Sequence, residues 1–272
     1  LTCKDCFLCC VFLAIDEATS KQVVIKTARH TADPRTRQRL IQEHRLMLSV
    51  DHPHIAKVLD CGWAGQTKEQ DQEENDGCPY LVLEYVAGRS LRDLLRAGSP
   101  LSWRRAADIL CQLGDALSAL HAAGILHRDV KPENVLIDTR GQVKLIDLSI
   151  GTRIVGASML TTRDEFLGTV EYMAPEQRHR IDVDHRTDQY SLAAVTFEML
   201  TGHHALGQFR SPSQLNPHLP ASLDAALLKG LERDADDRYA SIQSFVDAVL
   251  AAGTKPRSKS PLPVAAVYAA LV

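Results

Sequence analysis

The chain has 272 residues, Lys+Arg 31 against Asp+Glu 34 for a formal net charge of -3, and is 45% hydrophobic and 24% charged. That length supports a large core without disulfide staples, and the near-neutral balance gives no sign of a nucleic-acid partner. An odd count of 7 cysteines excludes a fully paired disulfide framework and points to a reducing, cytoplasmic setting.

The first segment, LTCKDCFLCC, places Cys3, Cys6, Cys9 and Cys10 together without the basic, apolar and small-residue pattern of a secretory signal. Its C-x-x-C-x-x-C spacing matches part of an iron–sulfur or zinc ligand run. Adjacent Cys9 and Cys10 would, however, face opposite sides of a strand, and no second ligand cluster follows. The absence of an initiating Met at Leu1 suggests a natural start further upstream.

VFLAID (11–16) and KQVVIK (21–26) are β-branched runs around EATS, the pattern of a hairpin. Between 34 and 50 the apolar residues recur at a helical period, which predicts one helix against a small sheet. HIAKVLDCGWAG and PYLVLEYVAG supply two more strands, separated by the acidic insert TKEQDQEENDGC, which is expected to be a solvated loop. After Gly88 the period is helical. Ser102 is the expected N-cap and Gly124 the expected stop of a helix whose stripe comprises Trp103, Ala107, Leu110, Leu113, Leu117 and Leu120. Further helices are expected over 187–202 and 221–252, with RSPSQLNPHLP as a loop between them. The basic KPRSKS run precedes PLPVAAVYAALV, which is too short to span a bilayer. Two readings stay open for 251–272: a docking segment, or the start of a transmembrane helix that continues beyond Val272 and tethers the domain to the inner face of a membrane.

The chemistry concentrates in HRDVKPENVLI (127–137) and VKLIDLS (143–149). With VVIK at Lys26, Glu43 nine residues before the His-Pro of DHPHI, LVLEYV, GTVEYMAPE, TDQYSL and Arg238, they follow in order the motifs of eukaryotic-type protein kinases. The chain resembles that family, most of all its bacterial serine/threonine members. The resemblance implies an α+β, two-lobed protein kinase fold over 1–250. It would comprise a small β-rich N-lobe with one helix (1–83), a hinge at 84–86 and a larger, mainly helical C-lobe (87–250).

It also implies transfer of the γ-phosphoryl group of ATP, with Mg²⁺ or Mn²⁺, to Ser or Thr hydroxyls of protein substrates. Phosphoryl transfer asks for positioning and charge stabilisation, so each residue type has a reason. Lys26 would contact the nucleotide phosphates and pair with Glu43. Asp129 would orient the acceptor hydroxyl and take its proton, with Lys131 beside it, while Asn134 and Asp147 would offer oxygen ligands to the metal. Backbone groups of Glu84 and Val86 would bind adenine between Val11, Val24, Leu83 and Leu136. Arg128 would pair with a phosphate that autophosphorylation, in which a homodimer could act in trans, places on Thr161 or Thr162. Asp188 would receive amides of the catalytic loop, and Glu176 would pair with Arg238.

Two departures stand out. The positions of the G-x-G-x-x-G lid fall on Lys4, Cys6 and Cys9, none of which is glycine, and DLS at 147–149 replaces DFG. They define the alternative reading, a pseudokinase or nucleotide-binding signalling scaffold.

Overall fold

The computed structural model describes residues 3–5, 9–28, 50–64, 78–98, 100–147, 170–179, 183–206 and 210–254. Five strands form the first sheet: β1 (Cys3–Asp5), β2 (Cys9–Ile15), β3 (Gln22–Ala28), β4 (Val58–Ala64) and β5 (Cys78–Glu84), in the order β1-β2-β3-β5-β4. All neighbours are antiparallel.

The expected hairpin is present. Its turn is closed by Asp16, whose carboxylate accepts from Ala18 N–H at 3.0 Å and from the Thr19 hydroxyl at 2.5 Å, while Ser20 adopts φ 56°. This is the local side-chain-to-backbone bonding that makes Asp a turn former. Burial is not what depresses the Asp16 carboxyl below its usual range; the Thr19 hydroxyl and Ala18 amide do so.

Period-two register sorts the sheet into faces. Val11 pairs with Lys26, Lys26 with Leu81, Leu13 with Val24, and Val24 with Leu83, so these residues share one face. The strand β1 was not expected. Its backbone pairs Lys4 with Val11, so the glycine-free segment still enters an antiparallel hairpin.

A second sheet joins β6 (Gly88–Ser90), β7 (Val135–Asp138) and β8 (Val143–Leu145). Around it lies the helical lobe, comprising α1 (Leu91–Arg96), α2 (Trp103–Ala122), α3 (Pro175–His179), α4 (His185–Thr201), α5 (Pro212–Leu215), α6 (Ser222–Gly230) and α7 (Ile242–Gly253). Ser102 caps α2 by accepting from Arg105 N–H at 3.4 Å, and Gly124 stops the run beyond it at φ 74°. The buried stripe of α2 contains Leu110, Leu113, Leu117 and Leu120 as expected, but uses Ala106 and Ile109 where Ala107 was placed.

Every residue of α4 from Thr187 to Thr201 is buried, which fits a helix enclosed on all sides. The segment expected as a loop at 210–220 contains α5. Ser211 and Gln214 form a capping box there, and Pro212 sits in the first turn, where its missing N–H costs nothing. The helix predicted over 34–50 lies almost entirely outside the described residues.

Close helix packing explains one glycine. A Cβ built on Gly114 of α2 would sit 2.7 Å from Val246 Cγ2 of α7. Gly114→Ala is therefore expected to destabilise the protein by about 1–3 kcal/mol through overpacking. Urea unfolding checks this, with Val246→Ala restoring part of the loss.

Candidate active site

The loop 127–134 between α2 and β7 is anchored from beneath by Asp188 of α4. Asp188 is fully buried and accepts His127 N–H at 2.9 Å, Arg128 N–H at 2.7 Å and a 2.8 Å contact from His121 Nε2. Burial pushes its carboxyl up, but the His121 bond and nearby histidines prevail and hold it below the usual carboxylate range. The anchor lets Arg128 keep φ 63°, an uncommon conformation for a side-chain-bearing residue.

Asp129 projects from this loop. Lys131 Nζ lies 2.8 Å from its Oδ2, and Asn134 Nδ2 donates both to Oδ2 and to the Asp129 carbonyl at 2.9 Å. Asn134 is placed by a 3-10 turn over Pro132–Asn134, and its own carbonyl accepts Ile146 N–H at 2.9 Å. The chain leading into Asp147 is thereby tied to the 127–134 loop.

At the end of β8, Asp147 adopts φ 55° and forms an ion pair with Lys26, Nζ to Oδ1 2.7 Å, across 121 residues of sequence. About 40% of the Asp147 side chain remains open to solvent. Partial burial still pushes its carboxyl up, and the Lys26 ammonium outweighs that effect to hold it below the usual range. Lys26, Asp129, Lys131, Asn134 and Asp147, drawn from β3, the 127–134 loop and the residues just after β8, are thus linked in two contact sets. Glu43, Thr161, Thr162, Leu148 and Ser149 lie outside the described residues.

The nucleotide-slot candidates divide similarly. Val11, Val24 and Leu83 share the Lys26 face of the first sheet, while Leu136 lies on β7 opposite Lys144. Glu84 N–H is taken by the Lys57 carbonyl at 2.9 Å, so the carbonyl is the group of Glu84 that remains for a base. Lys144 escaped the sequence reading. Its Nζ bonds Glu84 Oε1 at 2.6 Å, and the same oxygen accepts Lys57 N–H at 2.8 Å, which ties the end of β5 to β8. No local pattern marks such a pair, because its partners stand 60 residues apart.

Below the site, Glu176 of α3 meets Arg238 in a two-pronged pair at 2.7 and 2.8 Å and accepts the Thr187 hydroxyl at 2.9 Å. Among the described residues there is no group of three or more His, Cys, Asp or Glu able to hold a metal ion, and no helix long and apolar enough to cross a membrane.

Residues 8–258 match the protein kinase domain family. A probable serine/threonine-protein kinase of Streptomyces coelicolor is 34% identical over 248 residues, covering 85% of this chain and 36% of that protein. PknA of Mycobacterium tuberculosis, a serine/threonine-protein kinase, is 35% identical over 279 residues, covering 96% of this chain and 63% of PknA. The chain thus spans between about a third and just under two thirds of the length of these relatives. The crystal structure of the Mycobacterium tuberculosis PknI kinase domain, a double mutant, aligns with a TM-score of 0.71 at 26% identity and covers 92% of each chain.

Proposed function

The chain belongs to the protein kinase family, and from that premise we propose that it transfers the γ-phosphoryl group of ATP to Ser or Thr hydroxyls of protein substrates. The observation that carries this reading is the pairing of Asp129 with Lys131 and Asn134 on one loop, beside the Lys26–Asp147 pair.

The donor set suits a hard divalent cation. Asn134 spends its amide nitrogen on Asp129, which leaves an amide oxygen, and Lys26 takes only Oδ1 of the charged Asp147. These two residues would hold Mg²⁺ or Mn²⁺, whose charge would neutralise the phosphates. Lys26 binds and orients the phosphate chain. Asp129, fixed in one orientation by Lys131 and Asn134, accepts the proton of the acceptor hydroxyl. Lys131 places a positive charge next to the oxygens of the group in flight. Adenine lies between Val11, Val24, Leu83 and Leu136, bonded by the Glu84 carbonyl and the Val86 backbone. Glu43 steadies Lys26, and Thr161 or Thr162 takes an activating phosphate that pairs with Arg128.

In this scheme Lys144 orients the adenine-binding backbone through Glu84. The pair is partly exposed, and such pairs are worth about 0.5–1 kcal/mol. Lys144→Met is accordingly expected to raise the Kd for ATP about two- to fivefold while leaving the KM for protein substrate unchanged. Titration calorimetry with a non-hydrolysable ATP analogue, alongside steady-state kinetics, checks this.

The functional reading is tested by incubating the protein with γ-labelled ATP, Mg²⁺ and peptides that differ only in carrying Ser, Thr or Tyr. Label is expected on Ser and Thr. Label confined to Tyr, or to none of them, contradicts the reading.

A further inference from the structure

Beside the catalytic loop, Arg92 of α1 sits at the centre of a polar cluster that phosphoryl transfer does not require. Its Nε donates to Glu133 Oε1 at 2.7 Å, one guanidinium nitrogen to Glu198 Oε1 at 2.7 Å, and the other to the Tyr172 hydroxyl. Tyr172 in turn donates to Glu198 Oε2 at 2.5 Å, and its ring lies 5.7 Å below the guanidinium carbon. All three guanidinium nitrogens and both Glu198 oxygens are therefore engaged.

The position of this cluster matters. Glu133 immediately precedes Asn134 on the catalytic loop, and Tyr172 lies four residues before Glu176. The cluster thus joins the loop that carries Asp129 to the segment leading into α3. Glu133 is 43% exposed, and Glu171 is in contact with His204 at 3.3 Å, while Arg92 itself is only 12% exposed. Carboxylates grouped beside a catalytic loop are what would recognise an Arg or Lys of a substrate by charge-assisted hydrogen bonds. Here a guanidinium of the chain already makes those bonds.

We propose that Arg92 is a specificity-determining residue: it fills from within the cation position that Glu133 and Glu198 create, so the acceptor protein is selected without a basic side chain there. The inference rests on the phosphotransferase reading for its biological meaning. The occupied geometry itself can be tested by binding alone.

The test uses peptides with a Ser or Thr acceptor and either Arg or Ala at each position within four residues of it. Fluorescence anisotropy gives the Arg-to-Ala ratio of affinities, and γ-labelled ATP gives the ratio of kcat/KM. The wild type is expected to discriminate by less than about twofold at every position. Arg92→Ala, shown to be folded by thermal melting, is expected to gain a preference of about tenfold or more for Arg at one position, the size of a single charged contact. Arg92→Ala/Glu133→Gln is expected to lose that gain.

An unchanged ratio in folded Arg92→Ala overturns the inference. So does a wild type that already prefers Arg tenfold and loses the preference in Glu133→Gln. That second arm needs no Arg92 variant, so a failure of Arg92→Ala to fold leaves the inference exposed to refutation. Peptides that bind with the expected ratios but receive no phosphate contradict only the phosphotransferase reading.

Discussion

Asp129→Asn is expected to lower phosphoryl transfer by about 10²–10⁴-fold while leaving the affinity for ATP within about twofold. The substitution preserves shape, and its amide oxygen can still accept from Lys131 and Asn134, whose contacts at 2.8 and 2.9 Å fix the present side chain. What it removes is the capacity to take a proton from the acceptor hydroxyl. Binding should survive because the Lys26–Asp147 pair and the slot residues on β2, β3, β5 and β7 lie on other elements. Lys26→Met should behave differently, weakening both binding and transfer, since it also removes the ammonium that holds Asp147 below the usual carboxylate range. Single-turnover rates and ATP titrations on the two variants separate these effects.

Arg238→Ala is expected to cost about 3–5 kcal/mol of stability, the range for removing one partner of a buried ion pair. The Arg238 side chain is fully buried, and Glu176 is only 11% exposed. The guanidinium also donates to the carbonyls of Glu232, Arg186 and Arg233 and lies 5.0 Å from the Tyr190 ring centroid. Its loss removes a donor from three carbonyls and leaves the Glu176 carboxylate without its charge partner, with the Thr187 hydroxyl still bonded to it. Chemical denaturation measures the cost, and adding Glu176→Gln to Arg238→Ala should recover part of it, because the uncompensated charge is then gone.

The same pair contributes to acid sensitivity. Burial pushes the Glu176 carboxyl up, but Arg238 outweighs burial and depresses it below 4.5. The unfolded chain therefore binds the proton more readily than the folded one. The pair's contribution is fully present above that ordinary value and is lost as pH falls through the depressed one. Arg238→Ala should flatten this part of the stability profile.

Much of the site is legible in the sequence because the catalytic loop is a short contiguous string in which charge, proline and amide follow at fixed steps. Asp129, Lys131 and Asn134 meet within six residues of chain, so their contacts follow from local geometry. The hairpin carrying Lys26 is equally readable from its β-branched runs, and α2 from its leucine spacing. Other features are hidden because nothing local encodes them. The Lys26–Asp147 pair joins residues 121 apart, and the Arg92 cluster draws on α1, the catalytic loop, the segment before α3 and the end of α4.

The short helix α5 is hidden in a segment whose three prolines and two serines read as loop formers, although Ser211 and Pro212 are also what starts a helix. Strand β1 offers no alternating apolar run, and pairing with β2 supplies its order instead. That pairing also bears on the missing glycines: at Lys4 and Cys9, two of the three lid positions, the backbone pairs within the sheet, while Cys6 lies outside the described residues.

The proposed phosphoryl transfer requires that ATP bound beside Lys26, Asp147 and Asp129 is chemically consumed. The most direct measurement is a single turnover, with enzyme in excess over γ-labelled ATP and a Ser/Thr acceptor present, followed with Mg²⁺ and again after its chelation. Label should pass from ATP to the acceptor only when the cation is present. ATP that binds with Mg²⁺ and is recovered intact would contradict the claim.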